Sequence, residues 1–391
     1  MTYIIIAALV LLSLGIAENR FHQLRRKQIP IVIHVNGTRG KSTTTRLIAG
    51  GLRQNGLRVI AKTTGTTPRL ILENGEEIDI KRKGPANISE YFKVVSLAAQ
   101  KKADVLISEC MALNPELQWV SENKILNADI GVITNVREDH LEVMGPTLTD
   151  AAKAMGLTIP RKGNFITADN KFTFIFQDIC SRKNTKIHYV TGGSIDDDVI
   201  LDFPYIVFKE NIAIGLKVCE LLGVDREVAL KGMLSASPDP GVSGIIRLSA
   251  KNKDIYLINA FAANDCESTL LTWDAAICGK IIPADTILGI FNSRFDRSWR
   301  ILQFMDLLRS SLPIEKLLLI GEWNYALKRA VKRNFSGEII DLSRKHEIES
   351  ILDYLEATFS GNLLVFGFGN TRGLGEDLIK HFKENGVPAE C

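Results

Sequence analysis

The most informative stretch of this chain is Val35-Asn36-Gly37-Thr38-Arg39-Gly40-Lys41-Ser42-Thr43-Thr44, which lies between an apolar run at 31–35 and a helical pattern at 42–54. A strand, a glycine-rich turn and a helix in this order form a corner. There, consecutive backbone N–H groups and the N-terminus of the helix face the same anion. Gly37 and Gly40 supply the backbone freedom and close approach that such a turn needs. The stretch therefore predicts a phosphate-binding loop.

The residues after the second glycine indicate which anion this loop binds. In phosphate-binding loops the lysine reaches the β- and γ-phosphates and the next hydroxyl holds Mg²⁺, roles that fall here to Lys41 and Ser42. The spacing GxxGKS is shorter than the common GxxxxGK[ST]. A strand–turn–helix corner with a solvated lysine is the alternative, but the combination of features favours ATP and Mg²⁺. The nucleotide-binding residues predicted in this loop are Asn36, Gly37, Thr38, Arg39, Gly40, Lys41, Ser42 and Thr43.

The composition is that of a folded protein with more than one domain. Its 391 residues suffice for two or three domains. The formal net charge of +3 is too small to indicate a nucleic-acid partner, and none is expected. The six cysteines are scattered without a CxxC pair. This pattern is neither a zinc site nor a disulfide framework, and it suits a reducing compartment.

The N-terminal segment changes the expected localisation. Residues 3–17, YIIIAALVLLSLGIA, carry no charge, and Arg20, Arg25, Arg26 and Lys27 follow. The run is slightly shorter than the ~17–25 residues of a typical span. A cleaved signal peptide is the alternative, but no basic residue precedes the run. We expect a single-pass anchor at 1–19 in the cell membrane and a basic juxtamembrane linker at 20–29, with the catalytic domains in the cytoplasm.

Beyond residue 30 the pattern predicts an α/β fold with a parallel sheet. Short β-branched runs alternate with helical stretches as far as the Pro- and Gly-rich break at 237–241, and the alternation then resumes. The predicted domains are an ATP-binding domain at 30–241 and a second α/β domain at 242–391. The predicted strands are 31–35, 58–62, 104–108, 130–134, 164–167 and 186–190, followed in the second domain by strands near 255–259, 286–291, 316–320 and 363–367.

Two polar clusters follow strands of the first domain. Glu109 closes the apolar run at 104–108, and His140 comes shortly after the run at 130–134. Open α/β sheets place ligands at the carboxyl ends of their strands, and Mg²⁺ needs few protein oxygens because it keeps several waters. Each residue alone could be a polar strand cap. Together they predict a metal site formed by Ser42, Glu109 and His140.

These residues also resemble a known superfamily, the Mur ligases and folylpolyglutamate synthases. NGTRGKSTTT at 36–45 resembles their nucleotide loop, and ITNVREDHLEVMG at 133–145 resembles their TNxxxDHLDxxG motif. Glu109 resembles their magnesium-binding glutamate, and Asn211 is similar to the asparagine that contacts adenine. The resemblance implies a P-loop-containing Mur-ligase-like central domain and a C-terminal Rossmann-like α/β domain. In this chain one N-terminal transmembrane helix precedes them.

One branch of that superfamily matches over nearly the whole chain. It comprises the membrane-bound ligase subunits of poly-γ-glutamate synthases, the CapB/PgsB type, which carry an N-terminal membrane segment and a series of short motifs. Those motifs resemble the segments 36–43, 62–66, 108–115, 139–147, 237–241, 260–269 and 294–297 of this chain.

The resemblance extends the predicted site into the second domain. Asn264 and Asp265 are expected to contact ribose or phosphate, and Arg247 the γ-phosphate. Gly156 falls where related enzymes carry a carbamylated lysine, so no carbamate ligand is expected. Arg294 and Arg297 are expected to bind an anionic polymer, with Arg69 and the basic loop at 81–83 as further candidates. The predicted catalytic residues are Lys41, Glu109, His140, Arg247, Arg294 and Arg297.

The family implies an ATP-dependent amide ligase that polymerises glutamate into poly-γ-glutamate through an acyl phosphate, with ADP and phosphate as products. Its expected partners are glutamate, the growing chain and membrane subunits of a synthase and export complex, and a homo-oligomer is compatible with this. Three alternatives remain at this stage: a folate or cell-wall-peptide ligase of the same superfamily, a membrane-tethered P-loop ATPase that supports transport, and a nucleotide-binding scaffold.

Overall fold

A computed structural model of the chain describes residues 2–65, 68–82, 84, 86–203, 205–238, 245–250, 253–261, 263, 265–277, 282–297, 302–310, 312–343 and 347–389. It divides into two compact units, Met1–Asp196 with Phe208–Pro240, and Asp197–Val207 with Gly241–Cys391. The segment Asp197–Val207 thus belongs to the second unit, although the sequence placed it in the first domain. The reason is packing, since Ile206 is buried in the same apolar cluster as Ile245 and Tyr256.

The chain begins with one long helix, α1 (Thr2–Lys27), which runs through the stretch expected to be a linker. Its last turns pack against the rest of the first unit, and two of its polar side chains are buried in this contact. The His22 ring is hydrogen bonded to the Ile125 carbonyl at 2.8 Å, and Arg26 pairs with Asp129 at 2.8 Å. The apolar half of α1 is exposed. By length and composition, α1 could cross a membrane.

The first unit is built on an eight-stranded sheet with the strand order β4-β3-β2-β5-β1-β6-β7-β8. The six strands from β2 to β8 in this order pair in parallel, as predicted, whereas β3 and β4 form an antiparallel edge. That edge was not predicted, because its strands are only three residues long. The strands are β1 (Ile31–Asn36), β2 (Val59–Lys62), β3 (Arg69–Ile71), β4 (Glu77–Asp79), β5 (Val105–Glu109), β6 (Ile130–Ile133), β7 (Asn164–Thr167) and β8 (Lys186–Tyr189).

Helices cover both faces of this sheet. The helix after the glycine loop packs closely on a later helix, because a Cβ at Gly50 would clash with the Gly232 carbonyl, and one at Gly232 with the Gly50 carbonyl. The helices of the first unit after α1 are α2 (Lys41–Gln54), α3 (Glu90–Gln100), α4 (Pro115–Val120), α5 (Leu141–Met144), α6 (Leu148–Met155), α7 (Thr173–Lys183), α9 (Lys209–Leu221) and α10 (Arg226–Leu234), while α8 (Asp197–Leu201) belongs to the second unit.

The second unit has a seven-stranded sheet with the order β13-β12-β11-β14-β10-β9-β15. The five strands from β13 to β10 in this order pair in parallel, whereas β9 and β15 form an antiparallel edge. The strands are β9 (Ile245–Ala250), β10 (Lys253–Asn259), β11 (Thr286–Ser293), β12 (Lys316–Gly321), β13 (Glu338–Asp341), β14 (Leu363–Gly369) and β15 (Val387–Pro388). The described helices are α11 (Cys266–Ile277), α12 (Met305–Ser310), α13 (Tyr325–Asn334), α14 (Ile348–Thr358) and α15 (Leu374–Asn385).

The α/β fold class is confirmed, and the sheets are mixed rather than purely parallel. Apolar clusters fill both units, with Val32, Ile60 and Leu106 fully buried in the first, and Leu257 and Val365 in the second. The predicted domain boundary at 241 and part of the Pro-Gly break lie outside the described residues.

Candidate active site

The glycine loop joins β1 to α2 at the carboxyl edge of the first sheet. Gly37 and Gly40 adopt φ angles of 132° and 78°, which L side chains rarely take. A Cβ at Gly37 would also clash with Thr134 Oγ1. Glycine is therefore required at both positions, for the backbone conformation and for the close approach of neighbouring atoms.

The loop is held by the segment that follows β6. The Thr38 N–H donates to the Asn135 carbonyl at 2.9 Å, and the Arg39 N–H donates to Asn135 Oδ1 at 3.0 Å. Thr134 Oγ1 donates to the Arg39 carbonyl at 2.6 Å, and the Arg137 N–H donates to Thr38 Oγ1 at 2.9 Å. These bonds preorganise the loop before any ligand is bound.

Lys41 begins α2 and folds its side chain back over the loop. Its ammonium donates to the carbonyls of Gly37 at 2.7 Å and Thr38 at 3.2 Å. Burial lowers the pKa of Lys41, while the nearby charge of Glu109 acts in the opposite direction. The ammonium is thus held where it can meet a phosphate that enters the loop.

Ser42, in the first turn of α2, and Glu109, at the end of β5, come together beside the loop. Ser42 Oγ donates to Glu109 Oε2 at 2.8 Å, and the same oxygen accepts from the Thr64 N–H at 2.7 Å. Glu109 is only 2% exposed. A hydroxyl and a carboxylate facing each other beside a phosphate loop are hard oxygen donors of the type that Mg²⁺ prefers. This pair fits a metal-bound nucleotide.

His140 lies on the segment that holds the loop, in the left-handed conformation with φ 51°. Its Nδ1 lies 3.1 Å from Glu142 Oε1, and its Nε2 lies 3.7 Å from Asp139 Oδ1. Asp139 pairs with Arg39 of the loop at 3.3 Å. In the part of the chain that the structure describes, no three His, Cys, Asp or Glu side chains form a metal cluster. A metal role for His140 stays a prediction.

Three other predicted residues contribute in different ways. Asn36 is buried, and its amide donates to Gln118 Oε1 at 2.9 Å, which anchors the start of the loop to α4. Thr43 is buried in α2. Asn211, near the start of α9, lies against the loop, because a Cβ at Gly40 would be 2.7 Å from Asn211 Oδ1. The structure thus brings the adenine-contact candidate to the nucleotide loop.

Gly156 lies in a short 3₁₀ turn, Gly156–Thr158. A Cβ built at this glycine would clash with the Ile179 Cδ1 methyl. The absence of a carbamate ligand at this position stays a prediction.

In the second unit, Arg294 follows β11 and lines a cavity of about 580 Å³ with Arg372 and Glu322. Its guanidinium pairs with Asp296 at 2.7 Å. The cavity lies where the loops after β11, β12 and β14 meet, at the carboxyl ends of parallel strands. Arg297 ends the 3₁₀ turn Phe295–Arg297 beside it.

The remaining predicted residues of the second unit lie elsewhere in it. Arg247 is on β9, 45% exposed at its side chain, and lies 3.9 Å from Asp254. Asp265 accepts the Ser268 N–H at 2.8 Å and so caps the first turn of α11. Its carboxylate thus has a structural role that the sequence did not suggest. Asn264 lies outside the described residues.

Four site residues had no assigned role in the sequence. Thr134 and Asn135 hold the loop, and Thr64 donates to Glu109. The Tyr91 hydroxyl donates to the Glu109 carbonyl at 3.1 Å and accepts the Met111 N–H at 3.1 Å. The first three lie within motifs that were recognised at 62–66 and 133–145. No sequence motif indicated a role for Tyr91, because Glu109, whose carbonyl it contacts, is distant in the sequence.

Two family models match the chain. Residues 35–203 match the Mur ligase middle domain, and residues 245–385 match the poly-gamma-glutamate synthase CapB C-terminal domain.

Individual proteins support the same grouping. The chain is 38% identical to PGA synthase CapB of Bacillus subtilis, over 98% of both chains. It is 38% identical to capsule biosynthesis protein CapB of Bacillus anthracis, over 98% of this chain and 82% of that protein. A solved structure of bifunctional folylpolyglutamate synthase/dihydrofolate synthase from Yersinia pestis, complexed with AMPPNP and Mn ion, has a TM-score of 0.63 at 14% identity, over 93% of this chain and 92% of that one. This structural similarity, at low sequence identity, shows that the two chains share a fold.

Proposed function

The chain belongs to the CapB family of poly-γ-glutamate synthases, and we propose that it joins glutamate units through γ-amide bonds at the expense of ATP. It is an ATP-dependent amide-forming ligase with a Mur ligase middle domain. The observation that supports this proposal most directly is the Ser42–Glu109 pair beside the glycine loop. It supplies oxygen donors where the phosphates of ATP would lie.

The proposed reaction has two steps. A γ-carboxylate oxygen of the growing chain attacks the γ-phosphorus of ATP, so that an acyl phosphate forms and ADP leaves. The amine of the next glutamate then attacks the acyl carbon, an amide forms, phosphate leaves and the amine loses a proton. The sum is one amide, one ADP and one phosphate for each glutamate added.

The residues of the first unit would bind and orient ATP for the first step. The N-terminus of α2 would face the phosphates, and the Lys41 ammonium would balance charge on the transferred group. Ser42 and Glu109 would hold Mg²⁺, which supplies further charge neutralisation when bound. His140 and Arg247 stay candidates for the same role.

The second unit offers a place for glutamate. Arg294 and Arg372 line its cavity beside the acidic residues Asp296, Glu322 and Asp377, and guanidinium groups match carboxylates in bidentate geometry. We assign this cavity to carboxylate binding, with Arg297 beside it. Asn264 and Asp265 stay candidates for contacts to the nucleotide.

The N-terminal helix supports a location at the membrane. Its apolar half precedes Arg20, Arg25, Arg26 and Lys27, and the positive-inside rule then directs the catalytic units to the cytoplasm. Small residues in α1, among them Ala7, Ala8 and Gly15, permit close packing against other membrane helices. We propose that α1 packs against membrane subunits of a synthase and export complex.

The test is incubation of the full-length protein in detergent with Mg-ATP, with and without glutamate and oligo-γ-glutamate. The ligase should release ADP and phosphate only with the amino-acid substrate and should form a new amide that mass spectrometry detects. Glutamate-independent hydrolysis would instead indicate a transport ATPase, and release of AMP would contradict the acyl-phosphate route. Lys41→Ala should abolish ligation, whereas Lys101→Ala, at an exposed lysine paired with Glu73, should not.

A further inference from the structure

The first unit contains a second cavity, of about 430 Å³, between the β2–β4 edge and α3. Its volume lies within the range of roughly 300–1,000 Å³ that is typical of small-ligand pockets. Four basic side chains that the structure describes line it, and Glu90 is the one acidic residue among its described lining residues. The basic residues are Lys62, Lys81, Arg82 and Lys93.

Lys62 is the unusual member of this set, because its side chain is 0% exposed. Its ammonium lies 3.2 Å from Glu90 Oε2 and 5.4 Å from the centre of the Tyr91 ring. Burial lowers the pKa of Lys62, and the charge of Glu90 opposes that shift. Burying an ammonium costs several kcal/mol unless a partner compensates it.

That compensation is incomplete, because Glu90 has a second cationic partner. Arg82 Nε and Nη2 donate to the two Glu90 oxygens at 2.7 and 3.1 Å. One carboxylate thus serves two cations, with Lys81 and Lys93 nearby at the rim. The cavity therefore carries excess positive charge around a buried ammonium, and an incoming carboxylate would balance it.

Apart from Gly84 and Asn87, the other described lining residues are apolar. Leu70, Ile80, Val94 and Leu97 form the walls between the cations. A γ-linked glutamate chain has the matching chemistry, because each unit carries one α-carboxylate and contributes two methylene groups to the backbone. The carboxylates can meet the cations while the methylenes lie on the apolar walls.

The cavity also adjoins the Ser42–Glu109 pair. Lys62 ends β2 and is in register with Ser108 on β5, the residue before Glu109. Two residues after Lys62, the Thr64 N–H donates to Glu109. A chain bound in this cavity would therefore have its end close to the proposed phosphate site.

We propose that this cavity binds α-carboxylates of the growing poly-γ-glutamate chain, with Arg82, Lys81 and Lys93 as the contacts and the Lys62 ammonium as a buried charge behind them. This assignment rests on the proposed function, since it names the subsite for the polymer. Free glutamate shares the carboxylate chemistry, and the experiment below separates the two ligands.

The experiment measures binding of tri-γ-glutamate and of free glutamate to the full-length protein in detergent, by isothermal titration calorimetry without ATP. Lys62→Met keeps the length and apolar stem of the side chain but removes the charge. We expect at least tenfold weaker binding of tri-γ-glutamate, with AMPPNP binding changed less than twofold. Lys101→Met removes the charge of an exposed lysine that directly follows α3, and it should change neither value.

A second variant covers the case in which Lys62→Met fails to fold. Arg82→Gln alters a partly exposed side chain of the same pair, and it should also weaken tri-γ-glutamate binding at least tenfold. Normal tri-γ-glutamate binding by folded Lys62→Met, or by Arg82→Gln, would overturn the assignment. So would a loss confined to free glutamate. The proposed function fails separately, if the wild-type protein forms no amide from glutamate and ATP.

Discussion

The side-chain amide of Asn211 lies directly against Gly40, so that a Cβ at Gly40 would be 2.7 Å from Asn211 Oδ1 and 2.8 Å from its Nδ2. This contact joins α9 to the nucleotide loop across 171 residues of sequence, the difference between positions 211 and 40. It places one polar amide beside the start of α2.

Gly40→Ala should therefore weaken ATP binding at least about tenfold, or about 1.4 kcal/mol. The φ of 78° strains alanine, and the added methyl displaces Asn211. Gly56→Ala is the matched control, because Gly56 has a φ of 83° and nothing within 4 Å of a Cβ. Calorimetry with AMPPNP checks both variants. Equal loss in the two would assign the effect to backbone strain rather than to the contact with Asn211.

Glu109→Gln should raise the Mg²⁺ concentration needed for half-maximal ligation at least about tenfold, since a neutral amide is a poorer ligand for a hard cation. The fold should tolerate the change, because an amide oxygen can still accept from Ser42 and from the Thr64 N–H. Glu76→Gln, at an exposed turn, is the control. A magnesium titration that Glu109→Gln leaves unchanged would place the metal elsewhere.

Stability should fall with rising pH because of His34 on β1. Burial disfavours protonation of this ring, but hydrogen bonds and charges of Cys110 and Glu122 outweigh it and raise the pKa to about 9. A raised pKa stabilises the folded state fully below the unfolded value near 6.5, and this contribution disappears as pH rises through 9. The free energy of unfolding should therefore drop by about 3 kcal/mol across this window.

The control for that pH dependence is Glu122→Gln, which removes the carboxylate 2.9 Å from His34 Nδ1. Denaturant unfolding at pH 6, 7.5 and 9 measures the effect. A wild-type profile that is flat over this window, or a variant profile as steep as the wild type, would contradict the assignment to His34.

Two N-terminal deletions should behave differently. Removing 2–18 deletes the apolar half of α1 and should move the protein from the membrane fraction to the soluble fraction, with ATP binding intact. Removing 2–28 also deletes His22 and Arg26, which are bonded to the first unit. It should lower Tm further, by about 2–4 °C for each kcal/mol lost. Two results would contradict the idea that the first half of α1 binds the membrane and its last turns stabilise the first unit. One is that the protein lacking 2–18 is still found in the membrane fraction, and the other is that both deletion variants have the same Tm.

Much of the fold followed from local pattern. The central strands and the helices flanking them were predicted because apolar periodicity and turn residues act over neighbouring positions. The edge strands β3 and β4 were missed, since strands of three residues carry little pattern of their own. Strands β9, β13 and β15 of the second unit were missed as well. The continuation of α1 to Lys27 was missed as well, because its cause is the burial of His22 and Arg26 against a segment about a hundred residues away.

The sequence by itself determined the glycine loop, its lysine and hydroxyl, and the strand that ends in Glu109, because these depend on residue type and on spacing along a strand–turn–helix unit. Only the tertiary structure decided which distant groups meet them. The Ser42–Glu109 hydrogen bond, the contact of Asn211 with Gly40 and the burial of Lys62 beside Glu90 all depend on packing between separate elements. Such contacts form when apolar surfaces are buried together, and no periodicity in the chain encodes their distances.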